Sequence, residues 1–373
     1  MNNKAVCRSP ALRPLIIAAL LLAAVSLFLC CSSPAGPETA DADDPSLSWH
    51  IETVDVDEGS PTGRFCSLEL DSNGSPHIAY LRSSGNDLMY ALWTGSAWMI
   101  EEVDTTGSFL YWLSLALDSE DHPHIAYSRY DINELRYSYW NGAVWNTETV
   151  LSDEYSIREI HIEIDSADHP HISYNRSADS GLYIAHHDGS SWNFQIVDSG
   201  SLGSLVLNSN DRPRISYLHY DNYLGYAAWD GSSWNLQTVE DPIESVWRSS
   251  IALDAWEHPH IVYSFFHDGY IRGDILKYAY WDGASWYIEA IAPYADWPSM
   301  DLDTAGLPHI AYYDPVLTTL KYACYDGSCW TIRQIDTEGT GQYASLELDE
   351  KGHPHISYFD GTNVVLKYAW YGE

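Results

Sequence analysis

Apolar and polar residues alternate along this chain in short runs, and the runs recur. Ser299–Asp303 shows the pattern plainly: Met300 and Leu302 alternate with Ser299, Asp301 and Asp303. Period-two alternation over a few residues predicts a half-buried strand. The same S-L-x-L-D form stands at Ser67–Asp71, Ser114–Asp118, His161–Asp165, Ser204–Asn208, Ser250–Asp254 and Ser345–Asp349. A turn such as Ser72-Asn73-Gly74-Ser75 follows. A second apolar run then opens on proline, as in Pro308-His309-Ile310-Ala311-Tyr312. Proline fits there because the first residue of a strand can forgo its donor. A third run, Leu276–Trp281 or Leu320–Tyr325, leads into Asp-Gly turns such as Asp230-Gly231 and Asp282-Gly283. These predict hairpins into a fourth strand, Trp234–Val239 or Trp286–Ile291.

The opening prolines are Pro76, Pro123, Pro170, Pro213, Pro259, Pro308 and Pro354, spaced 47, 47, 43, 46, 49 and 46 residues apart. A fixed period of about 45 residues marks a repeat architecture. No helical periodicity interrupts it, so the fold class is all-β, and four antiparallel strands per repeat form a propeller blade. The chain ends supply a second argument. The last repeat stops after its third strand, Leu366–Trp370, whereas the repeat region opens with a spare fourth strand, Trp49–Val54. Pairing the two closes a ring and removes exposed edges. The expectation is a seven-bladed β-propeller over 49–373, with blades 67–103, 114–150, 161–197, 204–239, 250–291, 299–335 and 345–370 plus 49–54. The S-L-x-L-D strands then line the central channel.

Residues 1–31 read as a secretory signal of lipoprotein type: Lys4, Arg8 and Arg13, an apolar core Leu15–Leu29, and Cys31 or Cys30 as the lipidation site. Residues 32–48 read as a flexible linker of Ser, Pro, Ala, Gly and acids. With 18 basic and 53 acidic residues the net charge is −35, which argues against nucleic acid and against membrane contact other than through the lipid. An exported, cell-envelope or secreted monomer is expected. Cys324 and Cys329 flank an Asp-Gly turn, and a two-residue hairpin there would set them opposite each other as a disulfide. Cys66 reads as a buried free thiol.

Residues present in every repeat read as framework. The histidines after proline are assigned to tying down a turn carbonyl, the turn aspartates to capping, and the tryptophans after the hairpin to packing between blades. No cofactor is expected; the metal alternatives are an ion on the recurring histidines and Ca²⁺ on Glu69, Glu163, Asp301 and Glu347. Two adjacent positions before each first strand vary instead: Arg64-Phe65, Tyr111-Trp112, Arg158-Glu159, Ser201-Leu202, Trp247-Arg248, Asp296-Trp297 and Gln342-Tyr343. Apart from Ser201 and Leu202, these residues form the candidate ligand site at the channel mouth. Aromatic faces beside planar hydrogen-bonding groups suit a sugar ring or a polypeptide.

The repeat resembles bacterial exported propellers of the sialidase-like or Asp-box kind, and seven-bladed propeller lectins that bind sugars between blades. The likeness spans about residues 49–370 and is architectural. The strings nearest the Asp-box are Asp230-Gly231-Ser232-Ser233-Trp234 and Asp71-x-x-Gly74-x-Pro76. It implies a binding or scaffold protein for an extracellular polypeptide or glycan. The alternative it implies is a sialidase-like or other glycan-processing hydrolase, for which Arg64, Arg158 and Arg248 are the three arginines available to clamp a carboxylate. No Tyr/Glu nucleophile pair is evident, and no catalytic residue is assigned.

Overall fold

The computed structural model describes residues 4–7, 47–57, 61–82, 87–105, 110–241, 246–265, 275–337 and 339–373, with backbone alone at 4–7, 110, 111, 202, 246, 247 and 265. Every regular element among them is a strand. Four-stranded antiparallel sheets recur as expected, for example Thr62–Leu70, Pro76–Arg82, Asp87–Trp93 and Trp98–Asp104 in strict succession. The strands fall into seven such units but six hydrogen-bonded sheets. The difference arises because Trp192–Leu207 runs unbroken, serving first as the outer strand of the third unit and then as the inner strand of the fourth.

Ser48–Asp55 pairs antiparallel with Val365–Gly372, Trp49 opposite Tyr371 and Ile51 opposite Ala369. The first strand of the repeat region thus supplies the fourth strand of the last unit. Gly63 shows how tightly the first and last units meet: at φ +98°, a Cβ there would lie 2.6 Å from the Leu366 Cα. The predicted leader and linker, Cys30 and Cys31 included, lie outside the described residues except Lys4–Cys7, which adds a strand beside Cys329–Gln334, and Leu47 and Ser48.

Adjacent units are joined by repeated hydrogen bonds. In six of the seven units the serine of the S-L-x-L-D run accepts a backbone N–H from the next unit: Leu115 to Ser67, Ile162 to Ser114, Ile251 to Ser204, Met300 to Ser250, Leu346 to Ser299 and Leu68 to Ser345, at 3.0–3.4 Å. The buried second-strand tyrosine donates to an acid at the end of the preceding unit: Tyr80 to Asp55, Tyr127 to Asp104, Tyr217 to Asp198 and Tyr358 to Asp336. Tryptophan makes the outermost link. Its indole N–H donates to a residue of the preceding unit, Trp98 to Glu52, Trp145 to Glu101, Trp192 to Glu148, Trp286 to Gln237 and Trp330 to Glu289. Packing between units is therefore backed by directed bonds, each worth about 1 kcal/mol net.

The aspartates act as predicted: Asp71 Oδ1 accepts from the N–H groups of Asn73 and Ser75. The histidines do something else. Their Nε2 atoms face the turn carboxylate, as His124 does Asp118 at 3.4 Å, and in five of the six Nδ1 meets a third-strand tyrosine hydroxyl, as in His77–Tyr90 at 2.6 Å. The hairpins also differ from expectation. Tyr325 pairs with Trp330, so the connection 326–329 has four residues and Cys324 faces Thr331. That register overturns the Cys324–Cys329 disulfide: Cys324 is a free thiol, while Cys329 is bonded to a different cysteine. Cys66 is free and buried, as predicted.

Candidate functional site

The variable pairs sit on β-bulges. Pairing slips between Arg64 and Ser67, Tyr111 and Leu113, Arg158 and His161, Ser201 and Ser204, Asp296 and Ser299, and Gln342 and Ser345. At the second position of five of the pairs the backbone is left-handed, with φ of +52° at Phe65, +52° at Trp112, +53° at Glu159, +47° at Trp297 and +58° at Tyr343. None of these side chains favours that region, which costs about 1–2 kcal/mol per residue. The bulge re-aims the side chain. Its consequence is a division within each pair.

The second members turn inward. Phe65, Trp112, Glu159, Arg248, Trp297 and Tyr343 line a cavity of about 240 Å³ along the inner strands. Of the first members, Arg64, Arg158, Asp296 and Gln342 do not line it. Arg64 and Arg158 are exposed, lying over the rings of Phe359 and Tyr130. Leu202, Tyr111 and Trp247 have side chains outside the described set. The three arginines consequently do not converge, and only Arg248 reaches the cavity.

The inward rings touch one another. Phe65 lies 4.5 Å from Tyr343 and 5.6 Å from Trp112, and Tyr343 lies 4.7 Å from Trp297. Arg248 closes the circle, its guanidinium 4.9 Å from the Trp112 ring and 5.3 Å from Trp297. Asp296 stands 4.0 Å from Arg248. Burial pulls the Arg248 guanidinium below its usual range, and the Asp296 and Glu159 carboxylates oppose that pull. Burial likewise raises the Asp296 carboxyl against the effect of Arg248. The indole N–H of Trp297 is buried and meets no protein acceptor.

Below the rings the cavity wall is polar: Ser67, Ser114, His161, Ser204, Ser250, Ser299 and Ser345, then Glu69, Glu163 and Glu347. Burial drops the His161 imidazole to about 4, helped by Arg248. Burial pushes Glu163 up to about 8, and it lifts Glu69 and Glu347 well above the carboxylate range, with the charges of Glu163 and Asp301 adding to both and that of Glu69 adding to Glu347. The sequence placed these acids on one strand face but missed their mutual effect. Among the described residues no three His, Cys, Asp or Glu side chains meet in metal-binding geometry.

That has a measurable consequence. Between about pH 4.5 and 8 the folded protein keeps a proton on Glu163 that the unfolded chain releases, so stability falls as pH rises through that window. Glu163→Gln is expected to match the wild-type melting temperature near pH 4.5 and exceed it by roughly 2–5 °C at pH 8, the full shift being discounted for water in the cavity. Thermal melts of both proteins at the two pH values check this; equal melts at pH 8 would refute it.

No family model matches the sequence, and no curated protein matches it. Solved structures do match in fold. AofleA from Arthrobotrys oligospora aligns at TM-score 0.54 and 12% identity, over 79% of this chain and 91% of that one. The Aleuria aurantia lectin in complex with Fucα1-6GlcNAc aligns at 0.52 and 14%, over 77% and 98%. The α-L-arabinofuranosidase arb93a from Fusarium graminearum aligns at 0.54 and 12%, over 84% and 93%. At such identities the likeness is one of fold, shared by lectin and hydrolase alike.

Proposed function

We propose that the chain is a closed seven-bladed propeller, exported and tethered through an N-terminal lipid, which binds a glycan in the channel at its bulged end. One observation carries this reading. In six of the seven units one variable residue lines a ring-sized cavity, where four aromatic faces and one guanidinium stand over a polar wall and the Trp297 N–H awaits an acceptor. Apolar faces with a few convergent polar groups fit the alternating faces and hydroxyls of a sugar. The fold likeness to the Aleuria lectin, solved with a fucosylated disaccharide, supports it. An extended polypeptide would call for a groove along the surface rather than a cavity at the axis.

A glycan array with the wild type and with Trp112→Ala plus Trp297→Ala tests this. The wild type is expected to retain at least one glycan class, and the double variant to lose it by tenfold or more. Retention of binding by the variant would move the site elsewhere, and an empty wild-type array would end the glycan reading. A second reading, a glycan-processing hydrolase, rests on Glu163, which holds a proton near neutral pH as a general acid must. Turnover of fluorogenic glycosides that Glu163→Gln abolishes would establish it.

A further inference from the structure

One junction breaks the repeat. In six of the seven units the fourth residue of the third strand is tyrosine: Tyr90, Tyr137, Tyr226, Tyr278, Tyr322 and Tyr368. Each packs edge-on against the tryptophan of the next unit, at 5.2 Å for Tyr90–Trp145, 5.6 Å for Tyr137–Trp192, 5.6 Å for Tyr226–Trp286, 5.5 Å for Tyr278–Trp330, 5.3 Å for Tyr322–Trp49 and 5.4 Å for Tyr368–Trp98. Where a histidine follows proline, the same tyrosine hydroxyl meets its Nδ1, as in His77–Tyr90 at 2.6 Å, His260–Tyr278 at 2.5 Å and His309–Tyr322 at 2.5 Å.

In the third unit that residue is Ile184. The deletion of a hydroxyphenyl group leaves three marks. A cavity of about 190 Å³ opens between the third and fourth units, partly open to solvent and lined by Ile184, His171, His186, Gln195, Trp229 and Trp234 among others. His171 Nδ1, deprived of its hydroxyl, is buried without a partner. Trp234 Nε1 is also buried without one, although Gln195 occupies the place from which Gln237 accepts Trp286. Apolar cavities of about 150 Å³ hold a benzene-sized ring. Burying a polar atom without a partner is unfavourable, and a ring with a hydroxyl supplies one to His171.

We propose that this cleft, at the end of the units opposite the bulges, binds a hydroxyphenyl group, either a free phenol or the tyrosine side chain of a polypeptide. The ligand ring takes the place that tyrosine holds at the other junctions, edge-on to Trp234, with its hydroxyl on His171 Nδ1. Asp211 and Arg212 stand at its border. This site is independent of the channel, so a failed glycan array leaves it untouched.

The test uses p-cresol as the probe, with binding read from the indole N–H resonance of Trp234, assigned by its absence in Trp234→Phe. Wild-type protein is expected to bind p-cresol with a dissociation constant of about 1 mM or tighter, and toluene at least fivefold more weakly. Ile184→Tyr fills the cleft, so it is expected to abolish binding and raise the melting temperature. Tyr137→Ile copies the defect at the neighbouring junction and is expected to add a second equivalent of p-cresol, a gain that misfolding cannot mimic. N-acetyl-tyrosinamide binding as well as p-cresol would identify a polypeptide source; p-cresol binding alone would identify a small phenol. Equal binding by the wild type and Ile184→Tyr, no p-cresol binding at all, or toluene binding as tightly as p-cresol would overturn the proposal.

Discussion

A chain from which Ser48–Asp55 has been excised is expected to lose its cooperative thermal transition and to self-associate. The segment is short, but its bonds reach both neighbours. It pairs along its length with Val365–Gly372. Asp55 accepts the Tyr80 hydroxyl at 2.7 Å, and Glu52 accepts the Trp98 indole N–H at 2.7 Å. Val54 is buried in one cluster with Leu68, Tyr80 and Leu366, and Trp49 lies edge-on to Tyr322 of the sixth unit. Excision strands two buried donors at about 1–3 kcal/mol each. It also uncovers several apolar side chains at about 1.5–3 kcal/mol apiece. Together these losses rival the 5–15 kcal/mol that holds an ordinary domain folded. The bared edge of Val365–Gly372 is then a template for another chain. Calorimetry and light scattering read both effects, and the synthetic peptide spanning residues 48–55, added in trans, is expected to restore part of the transition. A monomer that melts as the wild type does would show that the pairing is dispensable.

The strands were legible because their signal is local. Alternation such as Leu68-Glu69-Leu70 sets a face, Asp71 caps its own turn, and Pro76 starts the next strand. The spare strand at one end and the missing strand at the other could be matched by counting. What escaped the sequence depends on partners about one repeat away. Ser67 was only the first letter of a strand pattern, since its acceptor role is defined by Leu115 of the next unit. Arg64 and Phe65 looked equivalent, yet a left-handed residue at Phe65 sends one outward and one inward. Nothing in phenylalanine asks for that conformation; the bulge imposes it. The Cys324–Cys329 pairing failed for a smaller reason, a four-residue connection where two were assumed. Ile184 was visible as an odd letter in a column of tyrosines, but the space it leaves exists only once Trp234 of the next unit is in place.

Arg248→Ala is expected to cost about 2–4 kcal/mol of stability and to abolish ligand binding in the channel. The guanidinium is held between two indoles, at 4.9 and 5.3 Å, where desolvation makes each cation–π contact worth up to about 2 kcal/mol. Its loss also leaves the Asp296 carboxyl buried beside a hole, without the charge that now opposes the effect of burial on it. At roughly 2–4 °C per kcal/mol the melting temperature should fall by 5–10 °C at neutral pH. The penalty carries a pH signature. Asp296 is raised by burial, so in the variant its folded form holds a proton above the ordinary aspartate value of 3.8 that the unfolded chain releases. Stability of the variant therefore declines as pH rises above that value, and the gap to the wild type narrows toward pH 4. Arg248→Lys keeps the charge but not the plane that stacks on Trp112 and Trp297, so it should recover the pH dependence while leaving much of the loss. Pairing Arg248→Ala with Asp296→Asn separates the two terms. If the second change restores stability at pH 8 but not binding, the carboxylate is the counter-charge and the stacked guanidinium is the recognition element; additive losses would instead show that the two side chains act apart.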